Sequence, residues 1–331
     1  MAMRLVTRSD FDGLACGALL LEAGIINDYI FVHPKDLQDG SFPVTENDVL
    51  ANVPFVEGCG LWFDHHSSEV ERNAAKGNFK GQCREAESCA RIIYEYYGGK
   101  EKFPQFDDLM EAVDKVDAGK LTADEIMNPQ GWILIGFIMD PRTGLGRFRD
   151  FTISNYQLMK NLLRACRGMS TEQILELPDI VERIEVYEDH TKKFKELVAE
   201  YTRVEGDVII TDVRNIDKPL YTGNRFLIYS LYPEQNISAW ITKAKGEAGF
   251  TGKGCSVAVG HSILNRTSKV DVGSLMLKYG GGGHKMVGTC QFFDENENEL
   301  NAKVDRLINE IVNYSELTAA KDKARQTILD N

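Results

Sequence analysis

The chain has 331 residues, enough for two domains with separate cores, and its 43% hydrophobic and 27% charged residues exclude wholesale disorder. Lys and Arg number 38 against 50 Asp and Glu, a net charge of −12 that disfavours non-specific grip on duplex DNA, where many phosphates must be neutralised. No apolar run approaches the ~20 residues that span a bilayer, no signal-peptide core opens the chain, and the seven cysteines form neither a CxxC pair nor a zinc spacing, which predicts a cytoplasmic protein with buried thiols and no membrane partner.

In chain order, Arg4–Thr7 reads as a short apolar strand and Gly13–Ala23 as the helix after it. Tyr29–Val32, Val49–Ala51 and Leu61–Phe63 have the composition of buried parallel strands. The four strands end in polar residues, Ser9-Asp10, His33, Asn52 and Asp64. Open α/β sheets take ligands outside the carboxyl ends of their strands, so these ends predict one crevice. Cys89, Ile92, Ile93, Tyr96 and Tyr97 share a helical face stopped by Gly98-Gly99, and Asp107–Val116 is a further helix. A single polar-rich helix is expected from about Thr171 to Tyr201, anchored by Leu177, Val181 and Ile184, as an interdomain connector.

Beyond the connector, Val208–Thr211, Ile237–Ile241, Ser256–Val259 and Thr289–Phe293 read as strands. Val272, Leu275, Met276 and Tyr279 form one helical face, and Leu300–Val312 a closing helix with a polar tail expected to fray after Ser315. The expected fold is α/β: a mainly parallel sheet flanked by helices in residues 1–185, a connector helix in 186–205, and a smaller α/β domain in 206–331. Between Asn236 and Gly288, Lys243, Lys245, Lys253, Arg266, Lys269, Lys278 and Lys285 are opposed only by Glu247 and Asp271, which suits a small anionic ligand.

Three constellations can carry chemistry. Ser9-Asp10-Phe11-Asp12-Gly13 lies between strand and helix, where alternate carboxylates can face one cation; a surface turn with an N-cap aspartate is the plainer alternative. Asp64-His65-His66 closes a buried strand, an arrangement costly unless charges and lone pairs are satisfied, by a metal or by mutual hydrogen bonds. Carboxylate and imidazole without thiolate suit Mn²⁺ or Mg²⁺ better than structural zinc. Gly280-Gly281-Gly282-Gly283-His284-Lys285 lets backbone amides approach an oxyanion, or is a flexible linker; it fits neither a P-loop nor a dinucleotide fingerprint.

Together and in this order, the three resemble the DHH phosphoesterase superfamily with its DHH-associated C-terminal domain. That branch includes oligoribonucleases, phosphoadenosine-phosphate phosphatases, cyclic-dinucleotide phosphodiesterases and exopolyphosphatase-related proteins. The resemblance runs from Asp10 to His284, nearly the whole chain. It implies paired Mn²⁺ ions (Mg²⁺ as a substitute) held by Asp10, Asp12, Asp64, His65 and Asp117, the last in Asp117-Ala118-Gly119. It also implies catalytic roles for Asp64, His65 and His66, and a phosphate clamp of Arg266, Gly282, Gly283 and His284. The activity implied is metal-dependent hydrolysis of a phosphoester or phosphoanhydride in a cleft between two domains. The substrate would be a small phosphorylated nucleotide or short single-stranded oligonucleotide, and the resemblance allows a homodimer.

Two residues depart from the pattern. Val6 stands where many relatives carry a histidine, and Asn52 where an aspartate usually bridges both metals. An amide offers one neutral oxygen and no bridging anion, so one metal position is expected to be weakened. Either one ion is tight and one loose, or another residue substitutes, His33 or less well Asp36, with a core or loop histidine the plainer reading of His33. Polyphosphate hydrolysis and a non-catalytic phosphoryl-ligand sensor are the alternative functions.

Overall fold

Short apolar segments build the first sheet: β1 (Met3–Thr7), β2 (Ile26–Phe31), β3 (Asp48–Ala51), β4 (Leu61–Asp64) and β5 (Gly81–Cys83). All pair in parallel, in the order β2-β1-β3-β4-β5. The order reverses about β1, so the crevice expected of a doubly wound sheet opens at the carboxyl ends of β1 and β3. The computed structural model describes residues 2–66, 69, 79–140, 145–217, 219–221, 223–244 and 252–329; Lys245 and Glu247 of the basic stretch lie outside them.

One face of this sheet packs Val6, Leu50 and Trp62 with Leu37 and Val53. Val6 is thus a fully buried core residue. Helix α1 (Phe11–Glu22) is buried from Phe11 to Leu20. A Cβ at its Gly17 would stand 2.5 Å from Leu163 and 3.2 Å from Leu5, so the glycine lets the helix lie close to its neighbours. The remaining elements that matter here are α2 (Pro34–Gln38), α3 (Cys89–Tyr96) and α4 (Asp107–Asp117), followed by α5 (Gly131–Met139) and α6 (Asn155–Ala165).

The helix expected over Thr171–Tyr201 is two helices, α7 (Thr171–Leu175) and α8 (Pro178–Tyr201). Pro178 lacks the amide that would continue the first, and Ser170 with Gln173 closes a capping box at its start. Nor are the expected anchors the buried ones. Ile180, Arg183, Tyr187, Phe194 and Val198 face inward, whereas Val181 is 39% exposed. The chain divides into two compact units, Met1–Asp189 with Thr222–Asn224, and His190–Tyr221 with Arg225–Asn331, so the division falls within α8.

The second unit holds a mixed sheet of β6 (Thr202–Glu205), β7 (Val208–Asp212), β8 (Ile237–Ala244), β9 (Lys253–His261), β10 (Gly282–His284) and β11 (Val287–Asp294). Its order is β10-β11-β9-β8-β7-β6, with β7 and β8 parallel and the other pairs antiparallel. Two helices, α9 (Val272–Lys278) and α10 (Glu297–Leu329), supply Val272, Met276, Val304, Leu307, Ile308 and Ile311 to a core against β7, β8, β9 and β11. The last helix does not stop near Ser315 but continues to Leu329. All seven cysteines are free, and five are buried. Among the described residues, no helix is long and apolar enough to cross a membrane.

Candidate metal centre

The carboxyl end of β1 turns directly into α1. Asp10 caps that helix, its Oδ1 accepting from the Gly13 amide at 3.0 Å. A Cβ at Gly13 would lie 2.0 Å from the carbonyl oxygen of Arg8, so only glycine permits this turn. Asp12, in the first turn of α1 and buried, reaches another element: its two oxygens accept from the amides of Cys89 at 2.9 Å and Ala90 at 2.8 Å, at the start of α3. At the end of β4, Asp64 is fully buried. Its Oδ1 accepts from the amides of His65 at 2.8 Å and His66 at 3.3 Å and from His66 Nδ1 at 2.7 Å. Asp117 is the last residue of α4, where Gly119 at φ +62° ends the helix.

His65 joins these pieces. Its Nδ1 lies 3.2 Å from the Ala86 carbonyl, the placement of an Nδ1–H donor, which leaves a lone pair on Nε2. That Nε2 lies 3.2 Å from Asp117 Oδ2 and 3.7 Å from Asp12 Oδ2. It makes no hydrogen bond to either, and Asp64 Oδ2 is likewise buried without a partner. Asp12, His65 and Asp117 form one group with ligand atoms within 4.8 Å of one another, and Asp64, His65 and His66 a second.

The electrostatics favour a cation. Burial, then the carboxylates of Asp117 and Asp10, push Asp12 up to about 7, against the pull of His65 and the Ala90 amide. Such a cluster of acids is costly without a positive charge among them. Burial works against a charged His66, but its bond to Asp64 and the nearby carboxylates of Asp117 and Asp12 hold it up at about 9. The Cys89 thiol is pushed up to about 12, chiefly by burial, and donates to the Phe63 carbonyl at 3.2 Å. Two lone pairs without donors, beside carboxylates with an oxygen and nitrogen donor set, fit a hard or borderline divalent ion.

Not every candidate joins the cluster. Asp10 stands beside it with its oxygens engaged: Oδ1 also accepts from Asn52 Nδ2 at 3.0 Å, and Oδ2 lies 3.2 Å from Arg8 Nε. Asn52 therefore acts as a donor to Asp10. His33 is exposed and caps α2 through Nδ1, which accepts from the Lys35 amide at 3.2 Å; neither it nor Asp36 belongs to either group. Cys89 and Ala90, whose amides hold Asp12, and Ser88, which caps their helix, were not among the expected site residues. Ser88 ahead of an apolar helical face is a legible N-cap, but the bonds from the Cys89 and Ala90 amides to Asp12 span too much sequence for any local pattern.

The expected phosphate clamp lies in the second unit and differs from a loop. Gly282, Gly283 and His284 form the exposed edge strand β10, paired with Thr289, Gly288 and Val287. A Cβ at Gly281 would stand 2.1 Å from the Thr289 carbonyl oxygen, and one at Gly283 2.3 Å from that of Val287, so packing alone demands both glycines. A Cβ at Gly282 would meet nothing within 4 Å, so packing makes no such demand there. Arg266 is exposed, with Nε donating to the Ile263 carbonyl at 3.0 Å. Two cations of the basic stretch are matched by acids of α10: Lys253 by Glu297 and Lys278 by Glu310.

Among solved structures, the pGpG-specific phosphodiesterase PggH from Vibrio cholerae is 42% identical to this chain, covering 93% of it and 98% of PggH, with a TM-score of 0.80. The chain belongs to the PggH family of DHH phosphoesterases. An exopolyphosphatase-related protein from Bacteroides fragilis is 10% identical over 95% of this chain and 94% of that one, with a TM-score of 0.48. Neither a protein-family model nor a curated sequence matches. The DHH triplet of this family member is Asp64-His65-His66, at the end of β4.

Proposed function

We propose that this DHH family member hydrolyses the phosphodiester of a short linear dinucleotide, pGpG or a near relative, at a Mn²⁺-dependent centre. The reading rests on one coincidence: buried ligand atoms without a hydrogen bond on Asp64 and His65 in a chain 42% identical to a pGpG-specific phosphodiesterase. Asp12, Asp64, His65 and Asp117 would hold the cation, with Asp10 supporting the turn that aims Asp12. A divalent ion there supplies Lewis acidity towards a phosphoryl oxygen and a nucleophile at neutral pH. His66, when protonated and bound through Nδ1 to Asp64, would offer Nε2–H to a phosphate oxygen and could release that proton to the departing oxygen. Asp64 fixes the ring for this by accepting from its Nδ1. In the second unit, Arg266, Gly282, Gly283 and His284 are proposed to contact a phosphate.

The test is turnover of pGpG, a second linear dinucleotide, a cyclic dinucleotide, 3′-phosphoadenosine 5′-phosphate and polyphosphate, with Mn²⁺, Mg²⁺ or EDTA. Linear dinucleotides should be cleaved with Mn²⁺ and not with EDTA, and Asp64→Asn should lose on the order of 10²-fold or more in kcat. Turnover persisting in Asp64→Asn removes the site assignment. Preference for polyphosphate makes this a phosphoanhydride hydrolase, and ligand-induced stabilisation without turnover makes it a sensor.

A further inference from the structure

We propose that Asp114 is a positioning residue for the cation centre, holding in one register the two helix ends that present Asp12 and Asp117. The inference rests on the metal reading of the site above. Asp12 is fixed chiefly by the first amides of α3, its own helix adding only the Cys16 thiol at 3.7 Å. The place of those amides is set by Ser88, fully buried, whose Oγ accepts from the Arg91 amide at 3.0 Å and donates to Asp114 Oδ1 at 2.7 Å. The other Asp114 oxygen accepts from Arg91 Nε at 2.8 Å and Nη2 at 2.5 Å. One carboxylate therefore ties both the cap of α3 and a side chain of its first turn to α4.

The same residue governs the end of α4. Its carbonyl accepts from the Ala118 amide at 3.1 Å, closing the turn that carries Asp117. Residues three apart on a helix share a face, so the latch at Asp114 also sets the rotation of Asp117. Metal constellations tolerate only about 0.5 Å of displacement, and the Asp12–His65–Asp117 group is drawn from three separate elements. Asp114 itself contributes no ligand atom to either group. Its outer side opens on a polar cavity of about 520 Å³ lined by Glu87, Glu111, Lys115 and Lys120, so an amide at this position keeps access to water.

The experiment compares Mn²⁺ affinity by titration calorimetry, and the electron paramagnetic resonance spectrum of bound Mn²⁺, in the full-length wild type and four variants. Asp114→Asn and Ser88→Ala should each weaken Mn²⁺ binding roughly tenfold and broaden the spectrum, with Ser88→Thr restoring most of the affinity. Asp107→Asn is the control: Asp107 also joins α3 to α4, through Tyr94 at 2.8 Å, but hydrogen-bonds to neither Ser88 nor Arg91. It should lower the melting temperature and leave Mn²⁺ binding unchanged. Equal Mn²⁺ affinity in Asp114→Asn and the wild type overturns the inference alone, as does equal weakening by Asp107→Asn. A wild type that binds no divalent ion overturns the metal reading and this inference with it.

Discussion

Asn52 has φ +56°, the one non-glycine residue among those described with a positive φ, and is buried at the end of β3. Asparagine tolerates the left-handed region better than most residues. Its side chain then spends a hydrogen bond on Asp10, and its amide donates to the Phe63 carbonyl at 3.1 Å. The consequence for metal number is direct: Asp10 is satisfied by donors, so the wild type should bind one cation tightly. Asn52→Asp removes the donor and sets a carboxylate against Asp10 at about hydrogen-bond distance. Without metal this should lower stability by about 2 kcal/mol, which in a chain of this size moves the melting temperature by several degrees. With Mn²⁺ the order should reverse, the variant gaining a second binding event in calorimetry and a larger thermal shift than the wild type. A variant with the wild-type stoichiometry and a uniformly lower melting point would show that Asn52 serves the backbone and not the metal count.

Elements are pinned in register by pairs such as Arg4 on β1 and Asp48 on β3, which are direct neighbours across the two strands. Arg4 Nε donates to Asp48 Oδ1 at 2.7 Å, and the Thr45 amide and hydroxyl donate to its Oδ2. Burial alone would raise the Asp48 pKa, but the Arg4 and Thr45 hydrogen bonds outweigh it and hold the carboxyl below its usual 3.8. A depressed folded-state pKa means stability that is complete above the unfolded value and is lost as pH falls through the folded one. Asp48→Asn should therefore cost about 1–3 kcal/mol at pH 7 by urea denaturation, and the gap to wild type should shrink steadily below about pH 4. A gap independent of pH would assign the loss to packing. The main strands were legible because each is an apolar run closed by polar residues, as Leu61-Trp62-Phe63 before Asp64 shows. Three-residue β5 and β10 were not, since so short a segment has no period and pairing alone makes it a strand. β6 was hidden because Thr202–Glu205 is half polar and earns its place only as the edge partner of β7. The break before Pro178 was readable from proline chemistry and was missed because the polar periodicity on either side is continuous.

At the scale of the whole molecule, the candidate ligand atoms come from α1, the end of β4 and the end of α4, gathered at one edge of a parallel sheet. Their types and order were visible in the sequence, because a doubly wound sheet brings successive strand ends to the same edge. The supporting shell was not: Ser88 and Asp114 lie 26 positions apart, and no local pattern says which helix start meets which carboxylate. A cation binding at this edge stabilises every arrangement that keeps the ligands together, by about 2.7 kcal/mol at a hundredfold excess over Kd. Local openings that separate the ligands should be suppressed first. The amides of Gly13, His65, Cys89 and Ala90, each donating to Asp10, Asp12 or Asp64, should therefore gain hydrogen-exchange protection on Mn²⁺ addition. The amides of His261 and Val272, which close backbone bonds beside β9 and β11, should not. Asp64→Asn should abolish the gain, because it removes the buried oxygen that lacks any other partner. Protection appearing instead around His261, with Gly13 and Ala90 unchanged, would move the cation to the second unit and leave the carboxylates at the first sheet without one.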